Sequence, residues 1–427
     1  MGAAALSEAC IAQVIVTSVK YGNLETLEVG YGISLRPLST LAMTYYADDP
    51  CMEFHPKDNG EDVHEDEMEL ARMHKAAAIL QFKLEGQLLS RHPEYGMESR
   101  RLLHAIDFEK GTVDVEGETY PLRSCHFPTI DPADPYTLTA LEREVMDRLV
   151  LEFAHSEKLQ RHVQFLYSTG GMYLRCNGNL LYHGCIPMYE DGSFAPIPVT
   201  GSENLCGRAG IDAADLLARQ GYFANLGSKS RMDGQDFLWY LGCGPYSPLF
   251  GKSKMATFER YFIKDKKSHV EIKNAYYAFQ DDEATALRIL GEFSMNDTGF
   301  IINGHVPVKL GQGESPIKAG GRLLVIDGGL SRAYQPVTGI AGYTLIFSSH
   351  ELSLVAHQPF ESTASAITSE QDIHSVHSIV RQMPRRLLIS DTDEGEVLRG
   401  RIDDLMTLIE AYRSGVIKEL RESSEYH

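Results

Sequence analysis

The sequence predicts an α/β protein in which a helical first third gives way, near residue 170, to a strand-rich region. Three observations carry this. Apolar residues recur at helical spacing through Cys10, Ile11, Val14, Ile15 and Val19, and again through Met68, Ala71, Ala78, Phe82, Leu84, Leu88 and Leu89. An Asn177-Gly178 pair separates the short runs 172–176 and 179–182, a strong mark of a two-residue hairpin. Two apolar runs then end in a glycine-flanked histidine: Leu180-Leu181-Tyr182-His183-Gly184 and Phe300-Ile301-Ile302-Asn303-Gly304-His305.

The first stripe begins almost at Met1, so a core-type helix is expected from the first residues, with Lys20 in its last turn and Gly22 as its stop. Asp58-Asn59-Gly60 reads as a turn in an acidic loop, and the second stripe ends before Pro93. Segments 112–115 and 119–122 read as a hairpin across Glu116-Gly117. Thr139 and Glu142 have capping-box spacing and open a helix through Leu149 and Phe153, extendable to Leu166. After the Asn-Gly hairpin come a helix around 213–218 and a Gly/Pro-rich loop, Gly242-Cys243-Gly244-Pro245. A basic segment follows, with Lys252, Lys254, Arg260, Lys264, Lys266 and Lys267. Asp281 and Asp282 open a further helix through Leu287, Leu290 and Phe293. Strands are expected at 300–302, 323–326, 343–347 and 352–356, and an amphipathic helix through Ile402, Leu405, Leu408 and Ile409 closes the chain.

A chain of 427 residues exceeds the usual size of one domain. Its composition, 43% hydrophobic and 23% charged, is that of a soluble globular protein. A net charge of -19 argues against nucleic acid and anionic membrane as partners. It also means that a phosphorylated substrate needs a local cation, either a metal or a Lys/Arg cluster. The seven cysteines form no C-x-x-C pair, which points to a reducing compartment without a disulfide framework. No apolar run has membrane-spanning length, and the start lacks a basic region followed by an unbroken apolar one. Leu6 stands where a myristoylation signal has Ser or Thr. The expected location is the cytoplasm.

The two histidines are candidate metal ligands. A strand fixes each imidazole, and the adjacent glycine lets the backbone turn sharply. Imidazole suits Zn, Mn and Fe, with Mn also wanting oxygen donors. A lone histidine is more often a surface or satisfied core residue, but two strand ends of this kind in one sheet-rich region resemble the way open α/β sheets build sites. Asp327-Gly328-Gly329 follows another apolar strand and reads as a tight turn, or as the border of the same pocket. The basic segment reads as a solvated face or a phosphate docking surface, with Arg260 and Lys264 spaced to share a helix face. There is no Walker A loop, no G-x-S-x-G and no H-E-x-x-H.

The runs 180–187 and 303–309 resemble the two late motifs of calcineurin-like metallophosphoesterases. The stretch from Gly244-Pro245-Tyr246-Ser247-Pro248 to Glu259-Arg260-Tyr261-Phe262 resembles class III fructose-1,6-bisphosphatase, the Firmicutes type. So do Ile326-Asp327-Gly328-Gly329-Leu330-Ser331-Arg332 and Thr338-Gly339-Ile340-Ala341-Gly342. The resemblance runs from residue 1 to about 420. It implies a four-layer α/β/β/α metallophosphoesterase core of which this chain is the C-terminal part. The implied division is a core remnant (1–35), a largely helical insertion (36–165), the late half of the core (166–360) and an extension ending in a helix (361–427).

The resemblance further implies a dinuclear centre, usually Mn²⁺, with His183 and His305 as metal ligands. A water bridging two metals would attack the 1-phosphate of fructose 1,6-bisphosphate, releasing fructose 6-phosphate and phosphate. Lys252, Lys254, Arg260 and Arg332 are the candidate substrate contacts, from charge and position. The family's early motifs, Asp-x-His, Gly-Asp-x-x-Asp-Arg-Gly and Gly-Asn-His-Asp, do not occur. No catalytic acid is therefore assigned. Met1 is expected to match an internal methionine of a longer family chain, and this chain alone is expected to be inactive. An N-terminal half-chain or a second copy is the expected protein partner. The alternatives are another phosphoesterase of the superfamily and a non-catalytic sugar-phosphate-binding chain.

Overall fold

A computed structural model describes residues 1–56, 67–201, 204–329, 335–340, 342–358, 362–369 and 375–418. The chain divides into two compact units, one of residues 1–173 and 182–281, the other of residues 174–181 and 282–427.

The first unit is built on helices. The opening helix α1 (Glu8–Lys20) starts later than its sequence suggests, because residues 2–6 form turns and Leu6 takes a positive φ of 69°. Ala3, Ala4 and Ala5 are nonetheless buried. Helix α2 (Arg36–Tyr45) carries proline in its first turn, where no N–H partner is lost. The 25-residue α3 (Glu67–Arg91) is buried over most of its length. Its charged members are answered individually. Lys83 Nζ donates to Thr129 O (2.6 Å), Thr137 O (3.1 Å) and Glu142 Oε2 (2.7 Å), so all three ammonium hydrogens are used. Lys75 Nζ donates to Asp49 Oδ2 (2.5 Å).

Strands β1 (Ile106–Asp107), β2 (Thr112–Val115) and β3 (Glu118–Pro121) form a small antiparallel sheet, with Glu116 and Gly117 both at positive φ in the β2–β3 turn. Helix α4 (Ala140–His155) has the expected capping box: Glu142 N donates to Thr139 Oγ1, and Thr139 N to the Glu142 carboxylate. The predicted long helix breaks at Ser156, whose ψ is 87° and whose hydroxyl donates to Tyr31 O (2.7 Å); α5 (Glu157–Thr169) then resumes. Helices α6 (Gly207–Phe223) and α7 (Lys229–Cys243) meet backbone to backbone, since a Cβ on Gly221 would lie 2.5 Å from Gly234 C. The expectation of a helix only around 213–218 was too short, and α7, capped by Ser228, was not foreseen. The short α8 (Thr257–Phe262) ends before Lys264, so Arg260 and Lys264 do not share a helix face.

The second unit carries the larger sheet, ordered β4-β5-β6-β8-β7 from β4 (Tyr173–Cys176), β5 (Asn179–Tyr182), β6 (Phe300–Asn303), β7 (Ile317–Lys318) and β8 (Leu323–Val325). Asn177 (φ 50°) and Gly178 (φ 77°) supply the two left-handed residues the β4–β5 turn requires. Strand β6 is parallel to both β5 and β8, and it is buried throughout, as parallel strands are. Helix α9 (Glu283–Glu292) is capped by Asp282, as its sequence predicts. A second, antiparallel sheet runs β11-β10-β9 from β9 (Gly342–Phe347), β10 (Glu351–His357) and β11 (Ser375–Gln382). The two sheets share a core in which Phe300, Ile302, Leu324 and Leu352 are buried against Leu181, Leu345, Phe347 and Val380. Short helices α10 (Gln335–Thr338) and α11 (Thr363–Ser369) precede the closing helix α12 (Asp393–Arg413). The fold is mixed α/β, with the strands concentrated where the sequence places them. The Asp58-Asn59-Gly60 turn lies outside the described residues.

Candidate functional site

In the first unit, His183 stands exposed directly after β5, between buried Tyr182 and buried Gly184. The glycine is required sterically, because a Cβ there would lie 2.4 Å from Pro248 O. That carbonyl accepts from Cys185 N (2.9 Å), which pins the His183 turn onto the loop 244–251. The loop is held from within by Ser247, fully buried, whose Oγ donates to Leu241 O (2.6 Å) and accepts from Leu249 N (3.1 Å). Asn274 closes the other side: its Oδ1 accepts from Met188 N (3.1 Å), and its N–H donates to Gly251 O (2.9 Å). The Tyr182 and Tyr276 hydroxyls meet at 2.7 Å. Burial pushes the neighbouring Cys185 thiol up to about 12, which keeps it protonated and unreactive at neutral pH.

In the second unit, His305 is half-buried two residues past β6 and has a φ of 68°. A left-handed conformation in a non-glycine residue stores roughly 1–3 kcal/mol of strain and clusters at functional sites. Its loop runs beside the turn after β8. Val308 N donates to Asp327 O (2.8 Å), and Ile326 N to Asn303 O (2.9 Å). Asp327 Oδ1 accepts from Gly329 N (2.9 Å), which folds the turn on itself. Gly328 has no room for a side chain, because a Cβ would lie 2.6 Å from Gly342 Cα. The Asp327 turn thus borders the His305 loop.

Among the described residues, no three or more His, Cys, Asp or Glu side chains are arranged to hold a metal ion. A dinuclear centre needs more donors than these residues bring together. The group that the resemblance implies is therefore not accommodated by them alone.

The candidate docking cations are internally paired. Lys252 Nζ (2.9 Å) and Arg260 Nη2 (2.9 Å) both donate to the Glu271 carboxylate, which also accepts from Ala256 N (3.1 Å). Burial alone would raise the Glu271 pKa, but Lys252, the Ala256 amide and Arg260 together hold it below the usual range. Lys254 is buried and reaches Glu116 Oε1 (2.8 Å) and Glu259 Oε1 (3.9 Å). Fully buried Glu259 is itself gripped by both terminal nitrogens of Arg100. Lys252 and Arg260 are thus brought together, while Lys254 belongs to a separate ion cluster. Arg332 lies outside the described residues. Glu271 was missed by sequence reasoning: nothing local links it to a lysine 19 positions earlier.

The sequence model of the family described as Firmicute fructose-1,6-bisphosphatase matches residues 1–414. The chain belongs to this family. It is 52% identical over 425 residues to the class 3 fructose-1,6-bisphosphatase of Alkaliphilus metalliredigens, a match covering 99% of this chain and 64% of the relative. The Clostridium novyi protein of that name is 50% identical over 421 residues, covering 98% of this chain and 63% of the relative. The Bacteroides fragilis one is 52% identical over 423 residues, covering 98% and 64%. The chain thus spans slightly less than two thirds of the length of these relatives. No solved structure matches it. Among the described residues, no helix is long and apolar enough to cross a membrane.

Proposed function

We propose that this chain serves the hydrolysis of the 1-phosphate of fructose 1,6-bisphosphate, a gluconeogenic reaction of the cytoplasm. The supporting observation is the 50–52% identity, along nearly its whole length, to proteins named class 3 fructose-1,6-bisphosphatases. His183 and His305 are proposed as ligands for Mn²⁺ in a calcineurin-like, four-layer core. The metal, when bound, would supply an acidified water and neutralise phosphoryl charge. This chain contributes the positioning: Gly184 and the loop 244–251 seat the His183 turn, and the Asp327 turn backs the His305 loop. The remaining donors are proposed to come from the part of the family's length that this chain does not match. Lys252 and Arg260 are the proposed phosphate contacts. Both are only partly buried, so a phosphate can replace Glu271 as their partner. Lys254 is a weaker proposal because its head is enclosed. Arg332 is proposed from sequence alone.

The test is phosphate release by the purified chain with Mn²⁺, offered fructose 1,6-bisphosphate or a phosphopeptide. The expected result is release near background from both. Fast Mn²⁺-dependent release that His183→Ala abolishes would show that the donor set is complete here. Release from the phosphopeptide alone would favour a different phosphoesterase. A second reading, in which the chain binds the sugar phosphate without turning it over, follows if the ligating side chains among the described residues are all that this chain supplies. Metal-free calorimetry with fructose 1,6-bisphosphate distinguishes it by a binding heat that Lys252→Ala removes.

A further inference from the structure

Helix α12 leaves its apolar side uncovered. Leu398, Ile402, Leu405, Ile409 and Tyr412 are each 42–58% exposed, and Gly395 is the helix's single buried residue. Among the described residues, the hydrogen bonds that anchor the helix lie at its base. Asp393 Oδ2 accepts from Asn177 N (2.7 Å), Asp393 N donates to Asn177 Oδ1 (3.1 Å), and the Thr392 hydroxyl caps Gly395 N (3.2 Å). The five apolar residues are spaced four, three, four and three apart. This is the 3.5-residue repeat of a coiled-coil seam, widened on its flanks by exposed Met406 and Leu408.

The residue types in that seam select an oligomer. One heptad position holds isoleucine twice (Ile402, Ile409) and the other holds Leu398, Leu405 and Tyr412. Ile at a with Leu at d favours two parallel strands. We propose that α12 pairs with α12 of a second copy of this chain as a parallel, in-register two-stranded coiled coil. In that arrangement Arg401 lies beside Met406 of the second copy and Leu408 beside its Arg413. Aliphatic stems therefore cover apolar side chains, and no like charges meet.

The exposed apolar residues of the helix, including Met406 and Leu408, offer on the order of 700 Å² per copy, close to the share each partner contributes to a standard interface. The opposite face carries Glu396, Asp403 and Glu410. That acidity argues against an anionic membrane as the occupant, because surface-lying helices present lysine and arginine there.

Sedimentation equilibrium of the 427-residue chain tests the pairing. The expected result is a reversible dimer, with Ile402→Glu weakening it by roughly 30-fold or more and Asp403→Ala, on the opposite face, leaving it unchanged. Circular dichroism of both variants should match the parent, since these side chains are exposed. Orientation is read by mild oxidation of Ile402→Cys. A parallel in-register pair sets the two new thiols side by side and gives a disulfide dimer beyond that of the parent's own cysteines. A chain monomeric at every concentration, a dimer indifferent to Ile402→Glu, or no added crosslink would each overturn the proposal.

Discussion

Helices α3 and α12 are the longest among the described residues, at 25 and 21 residues, and both are marked in the sequence by recurring apolar positions. Their fates differ. Helix α3 is buried on nearly every side and has taken lysines, a histidine and a glutamine into the core with it. Helix α12 is held at its base and otherwise exposed. The difference teaches that an apolar stripe decides whether a helix forms, whereas its neighbours decide whether it becomes core. Where neighbours surround the helix, even charges are absorbed, provided each finds an opposite charge, as Lys83 finds Glu142 and Lys75 finds Asp49. His74 is likewise answered: its ring bridges Phe54 O (2.7 Å) and the Tyr261 hydroxyl (2.8 Å), and burial lowers its pKa to about 4, so it stays neutral.

The largest effect that would break this contrast is expected at the buried pair. Lys83→Ala leaves the Glu142 carboxylate enclosed without its cation and should cost roughly 3–5 kcal/mol of unfolding free energy, read by urea titration. A cost below about 1 kcal/mol would mean that the pair is not the lock between α3 and α4. Next comes Gly184→Ala, whose methyl meets the Pro248 carbonyl. Overpacking of this kind costs about 1–3 kcal/mol, and the His183 turn should shift, visible as changed imidazole resonances. Thr139→Ala removes the cap of α4 and should cost about 1 kcal/mol by thermal melting. Leu405→Glu on α12 should change unfolding free energy by no more than about 0.5 kcal/mol at concentrations where the chain is monomeric.

Acid supplies a further probe of the α3 side. Burial would raise the Asp49 pKa, but Lys75, the Cys51 amide and His126 together hold it at about 2, below the ordinary 3.8. A folded-state value below the unfolded one stabilises the fold above pH 3.8, and this contribution is lost as pH falls towards 2. Asp49→Asn should therefore flatten the acid limb of the stability profile in that window. An unchanged limb would detach Asp49 from the network.

Much of the fold was legible because its signals are local. The Thr139–Glu142 capping box, the Asn177-Gly178 turn and the Asp282 cap each sit within a few residues of what they control. The break at Ser156 was not legible, because its hydroxyl answers Tyr31, far away in sequence. Nor was α7, which packs on α6 through a glycine contact and lies in a stretch to which the sequence assigned no element. At the candidate site, the two histidines and their glycines were readable as strand ends, and the steric need for Gly184 became visible only with Pro248 above it. The basic segment was legible only in part: its cations are conspicuous along the chain, while the carboxylates they pair with, Glu271 and Glu116, come from elsewhere.

The most direct measurement joins this chain to the segment of the Alkaliphilus metalliredigens relative that it does not match. The readout is phosphate release from fructose 1,6-bisphosphate with Mn²⁺. The account predicts release that falls at least about 100-fold when either His183→Ala or His305→Ala is introduced. Release that survives both substitutions, or a fusion that cleaves a phosphopeptide but not the sugar phosphate, would contradict it.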